Sequence, residues 1–128
     1  MPILVVDDSS TMRRILVKTL ERLGYPESIE AAGGREALEH LELSEIDLVV
    51  VDWNMPGMSG LELVRAIRSK PATQDIPILM VTGNAGSEDV VRAVRSGITG
   101  YVVKPFSSET LRAKITAVLG AQTASPQA

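Results

Sequence analysis

The chain contains no cysteine, which excludes disulfides and thiolate ligands and fits a reducing compartment. It also lacks any apolar run approaching the roughly 20 residues that span a bilayer. Its N-terminal stretch MPILVVDDSS holds only four apolar residues in a row, with no basic segment and no small-residue cleavage site, so it does not read as a signal peptide. Positive charge is scarce as well. The formal net charge is -3 and no Lys or Arg run is longer than the pair Arg13-Arg14, so nothing draws the chain to polyphosphate in general. These absences predict a cytoplasmic chain with neither a nucleic-acid nor a membrane partner; a monomer is expected.

What is present is ordinary globular material: 128 residues, 45% hydrophobic and 23% charged, the size of one domain. Residues 1–120 form that domain in this reading. The last stretch, AQTASPQA over 121–128, is small and polar without apolar period and reads as a flexible tail.

Short apolar runs alternate with segments of helical period. ILVV (Ile3 to Val6), DLVVV (Asp47 to Val51), IPILMV (Ile76 to Val81) and YVV (Tyr101 to Val103) are almost wholly apolar and rich in β-branched residues, the pattern of strands covered on both faces. SIEA (Ser28 to Ala31) is a weaker run that suits an edge. Between them, Met12, Ile15, Leu16, Leu20 and Leu23 fall on one helical face before Gly24. Leu38 and Leu41 mark a second helix after Gly33-Gly34. Ser59 with Glu62 reads as a capping box opening a third. Val90, Val91 and Val94 mark a fourth between Ser87 and Gly97; Leu111, Ile115, Val118 and Leu119 mark a fifth ending at Gly120. Five strands alternating with five helices predict an α/β fold, one parallel sheet with helices on both faces.

Open parallel sheets gather functional residues at the carboxyl ends of their strands. Here those ends carry Asp7 and Asp8, Asp52, Thr82 and Lys104. Each has an unremarkable local reading: Asp7-Asp8 as a loop before a helix, Asp52 as a residue before a Pro-Gly turn, Thr82-Gly83 as a strand end, Lys104-Pro105 as a solvated turn. Their coincidence at equivalent ends favours one pocket. Three carboxylates a few ångströms apart repel, by on the order of 4 kcal/mol per pair at about 4 Å, and call for a hard divalent cation such as Mg²⁺. A bound magnesium in turn suits phosphoryl chemistry, with aspartate as a nucleophile that forms an aspartyl phosphate.

The segments VVDDSSTMRRI, DWNMPGMSGLELVRAIR, PILMVTGNA and GYVVKPF resemble the receiver domains of two-component response regulators, and within that family the CheY-like chemotaxis branch. The match runs from about Ile3 to Leu119. The resemblance implies a flavodoxin-like, doubly wound sheet of five parallel strands in the order 2-1-3-4-5. It implies that Asp52 is phosphorylated by a CheA-like histidine kinase and that Mg²⁺ is held by Asp8 and Asp52, by the Asn54 carbonyl and, through water, by Asp7. Lys104 would pair with the phosphoryl group and precede a cis proline, Pro105. Thr82 and Tyr101 would act as the switch. The fourth helix, fifth strand and fifth helix, with Val90, Val94, Tyr101 and Lys114, would dock a flagellar motor switch protein or another chemotaxis target. Asn54 and Asn84 would tune the phosphoryl lifetime, and a phosphatase is a further expected partner.

Two positions depart from the family pattern: Ser9, where an aromatic residue often follows the acidic pair, and Asn84, in place of an acidic residue. The implied protein is a phosphoacceptor that assists its own phosphorylation and dephosphorylation, and not an enzyme acting on a separate substrate. A phosphorelay intermediate, a phosphate sink and the receiver piece of a larger regulator are the alternatives. A phosphate-ester hydrolase is disfavoured, since Asn54 stands where a general acid would be needed. The lone His40 reads as a surface residue.

Overall fold

The apolar runs become the strands β1 (Ile3–Val6), β2 (Ser28–Ala31), β3 (Leu48–Asp52), β4 (Ile78–Thr82) and β5 (Gly100–Val103). They alternate with the helices α1 (Ser10–Arg22), α2 (Gly34–Leu43), α3 (Gly60–Arg68), α4 (Glu88–Ser96) and α5 (Ser108–Ala124). The computed structural model of the chain describes residues 1–53, 58–83 and 88–124, with residues 89 and 121–124 described by their backbone alone. The strands pair in parallel in the order β2-β1-β3-β4-β5, the doubly wound order that the resemblance implied.

Every residue of β1, β3 and β4 is buried, because helices cover both faces of the sheet. Alternate side chains divide between two cores. Leu4, Val6, Val49, Val51, Ile78 and Met80 pack towards α2, α3 and α4, with Leu41, Leu63, Ile67 and Ala93. Ile3, Val5, Leu48, Val50, Leu79 and Val81 pack towards α1 and α5, with Leu16, Leu20, Leu111 and Ile115. The chain leaves β1 outward to β2 and then returns past β1 to β3, so the order reverses between β1 and β3 and opens a crevice at their carboxyl ends.

The helix signals hold with instructive exceptions. Ser9 caps α1, its Oγ accepting from the Met12 amide at 3.2 Å, and Gly24 follows at φ 97°. Both halves of the Ser59–Glu62 capping box form. Ile15, however, is 48% exposed, since α1 meets the core through Leu16 and Leu20. On α4 the buried contact is Ala93, while Val91 and Val94 are 52% and 57% exposed. Gly97 ends α4 at φ 111° as expected; Gly120 keeps a negative φ, so it supplies no left-handed stop and α5 runs on to Ala124. The fourth strand starts at Ile78, two residues later than its apolar run, because Pro77 has no N–H for the ladder. The expected helix cap Ser87 and the last four residues of the expected tail, 125–128, lie outside the described residues.

Candidate functional site

Strand register brings the expected residues to one edge. Val6 pairs with Val51, so Asp7 lies level with Asp52; Thr82 pairs with Val103, and Lys104 follows. Lys104 is fixed by its amide, which donates to the Thr82 carbonyl at 2.8 Å. Asp7, Asp52 and Thr82 are buried, and Asp8 is exposed at the mouth. The Lys104 Nζ stands 3.3 Å from Asp52 Oδ1. Lys104 and Pro105 are joined by a cis peptide bond, as the resemblance implied.

Asp7, Asp8 and Asp52 each offer a carboxylate oxygen, and these oxygens lie within 4.8 Å of one another. Asp7 Oδ1 accepts from the Ser9 amide at 2.9 Å, whereas Oδ2 is buried and has no hydrogen-bond partner among the described residues. An orphaned buried carboxylate oxygen is unfavourable as it stands. Burial pushes the Asp7 carboxyl above its ordinary 3.8; the Ser9 amide opposes this, the Asp52 charge adds to it, Lys104 opposes it and Asp8 adds again. Hard oxygen donors gathered in this way, one of them unsatisfied, fit a hard divalent cation.

The neighbours of Asp52 are held firmly. The Trp53 amide donates to the Val81 carbonyl at 3.1 Å, and its carbonyl accepts from Gly60 at 3.3 Å. A Cβ on Gly60 would lie 2.6 Å from Trp53 Cε3 and 3.0 Å from its Cα, so only glycine lets the start of α3 press on this residue. Arg13, which carried no signal in the sequence, ties the acidic loop down. Its guanidinium donates to the Asp7 carbonyl at 2.7 Å and to Glu30 Oε1 at 3.0 Å, joining α1 to the site and to β2.

Of the expected switch and docking residues, Thr82 ends β4, Tyr101 lies on the edge strand β5, Lys114 on α5, and Val90 and Val94 on α4. Tyr101 is half-buried against the core that α2, α3 and α4 cover, and Lys114 Nζ lies 5.4 Å from its ring centroid, within cation–π range. Val90 is half-buried on α4 and Val94 exposed. Asn54 and Asn84 lie outside the described residues. His40 is half-buried on α2, its Nε2 3.9 Å from Glu36.

The profile of the response regulator receiver domain matches residues 3–116. Chemotaxis protein CheY1 of Helicobacter pylori is 47% identical over 121 residues, covering 94% of this chain and 98% of that protein. Chemotaxis protein CheY of Pseudomonas aeruginosa is 46% identical over 115 residues, covering 90% and 93%. Among solved structures, CheY4 of Vibrio cholerae superposes with a TM-score of 0.86 at 39% identity, over 91% of this chain and 97% of that one. A CheY-like receiver domain protein of Methanospirillum hungatei does so at 0.85 and 31% identity, over 95% of both. Likeness of this extent, carried on a sheet of the same strand order, makes the chain a CheY-like member of the response regulator receiver domain family.

Proposed function

We propose that the chain is a phosphorylation-activated switch in which Asp52 accepts a phosphoryl group from a CheA-like histidine kinase. The observation that supports this reading most is the pairing of Asp52 with Lys104 at 3.3 Å beside two further carboxylates. An Asp52 oxygen forms the new bond to phosphorus as the bond to the kinase imidazole nitrogen breaks, its electron pair leaving with that nitrogen. Charge then spreads over the equatorial phosphoryl oxygens. The Lys104 ammonium and the Thr82 hydroxyl meet two of those oxygens, and the burial of Asp52 limits access of water to the product. Asp7, Asp8, Asp52 and the Asn54 carbonyl would hold Mg²⁺, which when bound supplies positive charge against the phosphoryl oxygens. Asn54 and Asn84 tune how quickly the group is lost to water, alone or with a phosphatase.

Output follows from where Thr82 stands. It ends β4, and a hydroxyl drawn towards the phosphoryl group vacates space that Tyr101, half-buried below Lys114, fills by turning inward. The surface of α4, β5 and α5, with Val90, Val94, Tyr101 and Lys114, then presents a changed face to a flagellar motor switch protein or another chemotaxis target.

Trp53, the one tryptophan of the chain and the neighbour of Asp52, makes the test direct. Acetyl phosphate should change its fluorescence only with Mg²⁺ present, and the change should be missing in Asp52→Asn. Loss of signal within seconds to a minute after the donor is removed supports a motor switch. Persistence for hours supports a phosphorelay intermediate. No fluorescence change together with no added phosphate mass would remove the proposal.

A further inference from the structure

At the opposite edge of the sheet, the C-terminal ends of α3 and α4 flank a groove of about 550 Å³ lined by Arg65, Arg68, Ser69, Arg92, Arg95 and Ser96. Four guanidinium groups thus share one depression on a chain whose net charge is -3. Arg68 forms part of the scaffold: Nε donates to the Gly97 carbonyl at 2.9 Å, and one terminal nitrogen donates to the carbonyls of Gln74 and Ile76 at 2.9 and 2.6 Å. Neutral carbonyls take up the donors on Nε and on that terminal nitrogen; burial lowers its pKa and the nearby Asp75 charge opposes this. Arg92 is 3.6 Å from Glu88, an exposed pair of little strength. Arg65 and Arg95 are exposed and take part in no ion pair among the described residues.

The two flanks of α4 differ in character. At about 3.6 residues per turn, with Ala93 facing inward, Val90, Val94 and Val91 lie on one side, and Arg92 and Arg95 lie on the other, towards α3. A cation in the last turn of a helix complements the helix dipole, which accounts for Arg65, Arg68 and Arg95 one at a time. It does not account for Arg92, or for the convergence of all four on one groove.

From this convergence we infer that the groove between α3 and α4 is a second docking site, separate from the α4-β5-α5 face, and that it takes a carboxylate-rich segment of a partner protein. The chemistry of the groove selects that occupant. Guanidinium forks match carboxylates in bidentate fashion, and a flexible acidic segment can place separate carboxylates on separate arginines. No aromatic side chain lines the groove to stack a base, and the overall negative charge opposes a long polyphosphate. Both helices turn their negative dipole ends towards it, a cost for any anion that is greatest for a compact dianion at the floor and smaller for separate carboxylates meeting the exposed Arg65 and Arg95.

The test uses the whole protein and a fluorescein-labelled hexaglutamate peptide followed by anisotropy. Binding should weaken steeply with added salt. It should fall at least tenfold in Arg65→Glu/Arg95→Glu, two exposed positions whose replacement leaves the core untouched. The control Lys18→Glu/Arg22→Glu makes the same change in net charge on exposed residues of α1 and should bind as the wild type does. Equal loss in both variants would show attraction to overall charge and overturn the proposal, as would no binding by the wild type at low salt. Displacement of the peptide by micromolar pyrophosphate would reassign the groove to small phosphorylated anions and overturn it as well.

Discussion

At the carboxyl edge of the sheet three carboxylates crowd within 4.8 Å, one with a buried oxygen that has no hydrogen-bond partner among the described residues; at the amino edge the half-buried Arg68 guanidinium donates to three backbone carbonyls. Both edges concentrate charge of one sign. Burial penalises the charge at both, but Arg68 has carbonyl partners and the nearby Asp75 charge, whereas Asp7 Oδ2 has no partner among the described residues, and that difference separates a site awaiting a ligand from a structural tie. Chemistry should respond most at the first edge. Lys104→Ala removes the ammonium 3.3 Å from Asp52 and should slow loading from acetyl phosphate by about 10²-fold, the usual effect of deleting one donor aimed at developing charge. The rate is read from Trp53 fluorescence. Loading at the wild-type rate would show that the ammonium only balances charge in the resting protein.

Stability should respond at the second edge. Arg68→Met keeps much of the apolar stem and deletes the donors to Gly97, Gln74 and Ile76, so the part-buried carbonyls of Gly97 and Ile76 lose their partners. A loss of about 2 kcal/mol is expected, or very roughly 8 °C in Tm for a domain of this size, with loading of Asp52 unchanged. Calorimetry together with the fluorescence assay checks both halves. An unchanged Tm would mean that water satisfies these carbonyls as well as the guanidinium does, and the contrast between the two edges would fail.

The carboxyl edge was legible in the sequence and the amino edge was not. Asp7, Asp8, Asp52, Thr82 and Lys104 each follow or end an apolar run, so alternation of strands and helices is enough to bring them together. Arg68 reaches Gly97, 29 residues away in sequence, and Arg13 reaches Glu30, 17 away. No local pattern announces such a contact, because a long arginine chooses its partners only after the elements have packed. The same limit explains Ile15, Val91 and Val94. Helical period finds the apolar side of a helix, but it takes the neighbouring helix to say which of those residues is covered. Gly120 shows a different limit: glycine permits a stop, and only the backbone conformation reveals whether it is used.

The smallest effect is expected at Asp8. Asp8 is exposed, so Asp8→Ala leaves the core alone and removes one charge from the trio. Without Mg²⁺ the Tm should rise by a few degrees, on the order of 1 kcal/mol of relieved repulsion, and the gain on adding Mg²⁺ should disappear. The pH dependence carries a sign. Asp7 is held above its unfolded value of 3.8, first by burial and in part by the Asp52 and Asp8 charges. Between the two values the folded state binds more protons than the unfolded one, so the metal-free protein loses stability as pH rises through that window and bears the full penalty above it. The advantage of Asp8→Ala should therefore be complete at neutral pH and shrink as pH falls towards 3.8, which metal-free Tm values across that range would show. A metal-free Tm that is unchanged or lower at neutral pH would mean that the carboxylates do not repel one another in solution, and the acidic edge would then be no more burdened than the basic one.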